Sequence, residues 1–332
     1  MKKRNVTIEY IKGLAILSVI SAHCNSVSNS SNQFAIASSL FLQNIGTLGV
    51  ICFFVISGVL FHHPGKNVGI FFKRKLKNIG IPWLISATCV YLYVYLRKPQ
   101  MTLHSWLNFI FGNGSYCYYL TILMVLYLIF TVIPFMRTNL ALVLCEMITI
   151  VSTIWFYGIW EINPYLNILN WIGYFALGVQ IAREQSILAK IKEISNSNSL
   201  LCIAIYIGYV LLLGFQIYNG RGGSYWNGIN VISCWIGAIT LVLLAKQCEK
   251  REPFIVSKII HQAGVDSFTI YIWHMPIAGI MARIMCNDSI NWLVLVRPII
   301  VLLIMLVTFS VAKKWIKKIK LCRIARYFGL QI

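Results

Sequence analysis

Lys12 and His23 stand eleven residues apart in the first apolar run, IEYIKGLAILSVISAH, residues 8–23. In a helix, eleven steps of about 100° return to within roughly 20° of the start, so both side chains share one face. They lie about 16 Å apart along the axis, Lys12 toward the inner end of the run and His23 toward the outer end. A lysine and a histidine facing inward from an apolar helix are costly, at least about 2.5 kcal/mol for a charge at mid-bilayer. Histidine exchanges a proton near neutral pH and suits general-base work, whereas lysine supplies a fixed positive charge. Glu9, three residues before Lys12, pairs with it at helical spacing. Separate snorkelling of Lys12 and His23 to opposite surfaces is the competing explanation, and the shared face weighs against it.

A second histidine, His274, lies in DSFTIYIWHMPI. It follows Tyr271 by three positions and Ser267 by seven, so the three share a helix face. Pro276 predicts a kink that frees backbone carbonyls there. Elsewhere the chemistry is less sharply marked. Ser57, in FFVISG (residues 53–58), needs an adjacent base to act as a nucleophile; with Gly58 it otherwise marks close helix packing. In FFKRKLKNIGIPWL, Lys73, Arg74, Lys75 and Lys77 form a basic cluster suited to topology, anionic lipid or a phosphate ligand, and Arg74 and Lys77 share one face. Glu146 reads as either a buried structural acid or a functional one. Arg283 and Arg297, near the outer ends of the last two apolar runs, fit snorkelling as well as anion binding.

The elements that position these residues are membrane helices. Of the 332 residues, 58% are hydrophobic and 11% charged, where a soluble domain carries about 25% charged residues. The expected fold is an all-α bundle of about ten transmembrane helices forming a single integral-membrane domain over residues 1–332. Apolar segments fall at approximately 8–25, 42–61, 79–96, 116–136, 139–159, 165–182, 199–218, 226–245, 263–285 and 292–312. With the N-terminus inside, 23 of the 29 Lys and Arg residues fall on the inner side and three on the outer, while Lys12, Arg283 and Arg297 lie within spans. This asymmetry predicts cytoplasmic termini in a multi-pass cell-membrane protein. It also accounts for the net charge of +20 without nucleic acid. The outer loops, NSVSNSSNQF, the region around His104, WEINPY, YNGRGGSYW and CNDSIN, are too short for a separate catalytic domain. MKKR followed by an apolar run resembles a signal peptide, but Glu9, Lys12 and His23 inside the run favour a retained first helix. Most of the ten cysteines sit in apolar runs without metal-binding spacing and read as packing residues, with Cys24, Cys117 and Cys286 placed for one bridge at most.

Taken together, these motifs resemble the membrane-bound acyltransferase 3 family, ten-helix bacterial proteins that O-acylate cell-surface polysaccharides and related acceptors. The resemblance spans essentially the whole chain. It rests on Lys12-x10-His23, on Phe53 to Gly58, on Arg74, Lys77 and Pro82, and on the aromatic entry Tyr118-Tyr119-Leu120. It is completed by Gly264, Ser267, Ile270, Tyr271, His274 and Pro276 in the order of the family's late motif. Lys12, Glu9 and Lys77 replace a more usual arginine, aspartate and arginine; charge is kept, but lysine does not reproduce bidentate recognition.

The resemblance implies a cytoplasmic acyl-CoA donor, acetyl-CoA foremost and no permanently bound cofactor, and an extracytoplasmic glycan acceptor. Lys73, Arg74 and Lys77 would hold the CoA phosphates. His23 would act as general base on the acceptor hydroxyl or as a transient acyl carrier. Lys12 would fix the thioester or stabilise its oxyanion, and His274 would line the same cavity with Glu9, Ser57, Tyr271 and Ser267 as further candidates. The lipid bilayer and other envelope polysaccharide enzymes are the remaining partners. A transporter or flippase using the same polar stripe as a substrate path is the rival function, and a scaffold for an envelope complex is a third.

Overall fold

The computed structural model describes residues 5–26, 32–65, 67–95, 101–158, 162–184, 200–251, 254–285 and 292–330. Among these the fold is helical, without strands. In chain order the α-helices are α1 Val6–His23, α2 Gln33–Gly46, α3 Leu48–Val59, α4 Val68–Lys75, α5 Ile81–Tyr95, α6 Leu103–Phe111, α7 Tyr118–Val132, α8 Asn139–Val151, α9 Ile172–Arg183, α10 Leu200–Tyr218, α11 Gly228–Lys250, α12 Ile255–Val265, α13 Ser267–Ile284, α14 Leu293–Lys318 and α15 Cys322–Tyr327. Among the described residues, seven stretches are long and apolar enough to cross a membrane: Val6–His23, Gln33–Val59, Val68–Tyr95, Asn139–Phe156, Leu200–Tyr218, Gly228–Lys250 and Leu293–Lys318. The protein is an all-α polytopic membrane protein.

The residues divide into two compact units, one of Met1–Phe53 with Glu184–Leu306 and the other of Phe54–Arg183 with Val307–Ile332. In the first, α1 is the central rod. Asn5 caps its start by accepting the Ile8 N–H, and Tyr10, Ala15, Ile16 and Ile20 are fully buried along it. Close approach to α12 depends on two glycines. A Cβ on Gly264 would stand 1.7 Å from the Glu9 carbonyl oxygen, and one on Gly13 would stand 2.0 Å from that of Ile260. Ser18 fixes α1 against the turn between α2 and α3, donating to the Ile45 carbonyl at 2.6 Å and accepting the Gly49 N–H at 2.8 Å.

Several boundaries depart from the sequence expectation. The span expected at 42–61 begins at Gln33, because Asn32 accepts the Phe34 and Ala35 N–H groups and starts α2 inside what reads as an outer loop. The span expected at 263–285 is two helices. Asp266 interrupts it, its carboxylate accepting from the Gln262 side-chain amide at 2.7 Å, and α12 then runs back to Ile255. The region around His104 is the helix α6, started by a reciprocal Thr102–Ser105 capping box and stopped by Gly112 in the left-handed conformation.

In the second unit the basic segment is helical. Helix α4 starts at Val68, ahead of the expected boundary at 79, with the good helix formers Lys73, Arg74 and Lys75 in its last turn. Leu76–Gly80 then winds as one wide π-helical turn before α5. Gly58 of α3 and Gly178 of α9 permit backbone contact, since a Cβ on either would fall within 2.1 Å of a carbonyl oxygen of the other helix. The packing role read for Gly58 is thus realised. Cys24 and Cys117 are free thiols; Cys286, named with them as a bridging candidate, lies outside the described residues, as do Lys2, Lys3, Arg4, Lys66, Arg97, Lys98, Lys190 and Lys192 of the charge count.

Candidate functional site

The first unit brings His23 and His274 together. His23 is the last residue of α1, where the chain leaves the helix: Cys24 closes it onto Ser21 and Asn25 donates to the Ala22 carbonyl at 3.0 Å. His274 lies midway along α13 and is fully buried, two residues before Pro276. The two imidazole centroids are 5.0 Å apart, with the rings inclined by 46°. The Nδ1 of His274 is 2.6 Å from the Tyr271 carbonyl oxygen. A carbonyl only accepts, so in the neutral ring Nδ1 carries the proton and Nε2 carries the basic lone pair. Tyr271 is also within ring contact of His274, at 5.9 Å between centroids, and Ser267 is buried one further turn back.

Two helix ends meet the clamp of Arg297. This residue is 3% exposed; it donates from Nη1 to the Ser26 carbonyl at 2.5 Å and from Nη2 to the Met285 carbonyl at 3.0 Å. Ser26 follows the end of α1 and Met285 the end of α13, so one guanidinium ties together the termini of the helices that carry the two histidines. Ser39 of α2 adds a third tie, donating to the Asn25 carbonyl at 2.6 Å.

Lys12 is not part of this histidine pair. Because α1 runs unbroken from Val6 to His23, Lys12 stays about three turns away, half-buried on the same helix. Glu9, one turn before it, is 8% exposed and has a partner outside the sequence expectation: its Oε2 is 2.8 Å from His261 Nε2 on α12, and the His261 ring packs on Tyr10. Thr7 donates to Glu249 at 2.7 Å nearby. The first unit therefore holds a polar cluster at each end of α1.

The second unit holds the other candidates. Ser57 Oγ is 3.3 Å from the Tyr119 hydroxyl, within a wall formed by Phe54, Tyr119 and Trp171. A neutral tyrosine hydroxyl is a weak base, so this environment positions Ser57 rather than activating it. In the basic cluster, Lys73, Arg74 and Lys77 are exposed. Lys75 turns inward, its Nζ 3.7 Å from the centroid of Tyr127 and 5.3 Å from that of Phe71. The i, i+4 spacing of Phe71 and Lys75 was the available sequence signal for this cation–π pair.

No group of three or more His, Cys, Asp or Glu suited to a metal ion occurs among the described residues. The family model described as an acyltransferase domain matches residues 5–313, nearly the whole chain. The protein belongs to the acyltransferase 3 family and is a membrane acyltransferase. Searches among curated proteins and among solved structures returned no match.

Proposed function

We propose that this membrane acyltransferase moves an acyl group, acetyl foremost, from cytoplasmic acyl-CoA to a hydroxyl of an extracytoplasmic glycan, in a bacterial cell membrane. The observation that carries the reading is the contact of His23 with His274 at the end of α1, in a chain of the acyltransferase 3 family. Acyl transfer to a hydroxyl needs a base that removes the hydroxyl proton as oxygen attacks the thioester carbonyl. The C–S bond then breaks, and the thiolate of CoA leaves and takes up a proton. His23 is the base. His274, with its tautomer set by the Tyr271 carbonyl, orients the His23 ring and supplies a second nitrogen for the proton.

Lys73, Arg74 and Lys77, exposed and mutually close in sequence, would bind the CoA phosphates as a charge cluster, with Arg74 alone capable of a forked contact. Lys12, about three turns from the histidines, orients the donor at its own station. Purified protein in vesicles, supplied with acetyl-CoA on one side and glycan on the other, tests the reading. Acetyl ester on the glycan, with stoichiometric CoA release, is the expected result. Uptake of a small molecule independent of acetyl-CoA would support a transporter instead.

A further inference from the structure

We infer that Arg297 forms an anion site beside the histidine pair, taking a carboxylate or phosphate group carried by the acceptor. A buried guanidinium in an apolar helix is retained where something compensates its charge. Here the partners among the described residues are two neutral carbonyls, those of Ser26 and Met285, and Arg297 Nε, also buried, has no hydrogen-bond partner. A guanidinium has five N–H donors, and among the described residues two are engaged. The remaining donors include Nε–H, an edge suited to forked recognition of a planar or tetrahedral anion. The two carbonyls belong to chain segments that follow His23 by three residues and His274 by eleven, so an anion held there would be tethered at the histidine end of α1.

Carbonyl contacts alone describe a clamp at two helix C-termini. They do not use the third nitrogen, and they leave the charge uncompensated in the apolar layer. An acidic acceptor answers both: its anion satisfies Nε–H and neutralises the guanidinium, while its hydroxyl is brought to His23. This reading of acceptor class rests on the function proposed above, but binding is measured without acyl transfer, so the two fail separately.

The test uses the full-length protein in phosphatidylcholine nanodiscs, with thermal unfolding followed in the presence of glucuronate, inorganic phosphate or glucose. Glucuronate or phosphate is expected to raise the unfolding temperature of the wild type, and glucose to leave it unchanged. Arg297→Gln is expected to weaken the anion response about 10- to 100-fold. Arg297→Lys, which keeps the charge and loses the fork, falls between them and guards against a folding defect in the glutamine variant. Exchange of the lipid for phosphatidylglycerol distinguishes sources. Stabilisation by that lipid that needs Arg297 and suppresses the glucuronate response assigns the anion to a lipid headgroup instead of the acceptor and overturns the acceptor assignment. Equal responses to glucuronate, phosphate and glucose in the wild type overturn the site itself.

Discussion

The imidazole of His23, at the last residue of α1, lies 5.0 Å from that of His274 in α13, centroid to centroid. Two helices from opposite ends of the chain are registered to place these rings together, and the register is held by backbone contacts. Ser18 grips the α2–α3 turn, Gly264 lets α12 lie on Glu9, and Arg297 ties both helix ends. A one-residue slip of either helix would turn a histidine about 100° away.

His23→Gln and His274→Gln are each expected to lower the acyl-transfer rate by about 10²–10⁴-fold while leaving membrane insertion intact. Because the two rings act together, the double variant should be little worse than the more damaging single one. Multiplicative losses in that cycle, read from kcat/KM, would mean that the two histidines act independently.

Gly264→Ala should destabilise the protein by about 1–3 kcal/mol, since the added methyl overlaps the Glu9 carbonyl and α12 must move off α1. The unfolding temperature of the purified protein measures this. Gly279→Ala is the control on the neighbouring α13, because a Cβ there meets no atom within 4 Å, and it should leave stability within about 0.5 kcal/mol.

Arg74→Ala and Lys77→Ala are expected to raise KM for acyl-CoA, each by about 10-fold or more at low salt, with kcat largely retained. Raising the ionic strength should shrink the difference from wild type. Lys75→Met has a different signature: loss of the contact with Tyr127 should cost about 0.5–2 kcal/mol of stability and leave the salt dependence of KM unchanged. A Lys75 variant whose KM loses its salt dependence would move this residue into the donor site.

Ser57→Ala should retain acyl transfer to within about 10-fold, because it removes one hydrogen bond to a neutral tyrosine worth about 0.5–1.5 kcal/mol. Abolished activity in a folded Ser57→Ala protein would establish a covalent role for this serine, detectable as an acylated residue by mass spectrometry.

Much of the fold was legible because apolar segments record burial in lipid directly. Each expected span has a helix within it, and spacing alone marks His23, His274 and Tyr271. What was hidden depends on pairs distant in sequence. Hydrophobicity does not register the interruption at Asp266, since an acid bonded to Gln262 leaves the apolar run around it unchanged. Glu9 has Lys12 at helical spacing, and packing adds a second neighbour, His261, from a segment read as the approach to a span. In the basic run, four cations within five positions look alike in composition; only the aromatic faces of Phe71 and Tyr127 single out Lys75. By sequence Arg297 fits snorkelling and anion binding alike, because its carbonyl partners come from other segments of the chain.

The wide turn at Leu76–Gly80 amounts to an inserted residue carried inside a continuous rod. Helix α4, just before it, is offset by about 100° from where an unbroken helix would set it relative to α5. Deleting one residue there would relax the rod to ordinary winding and rotate the whole basic segment, turning Lys75 away from Tyr127 and aiming a different cation inward. Such a chain, one residue shorter, would keep the cations of α4, yet present them in a different pattern to any donor that reads that face.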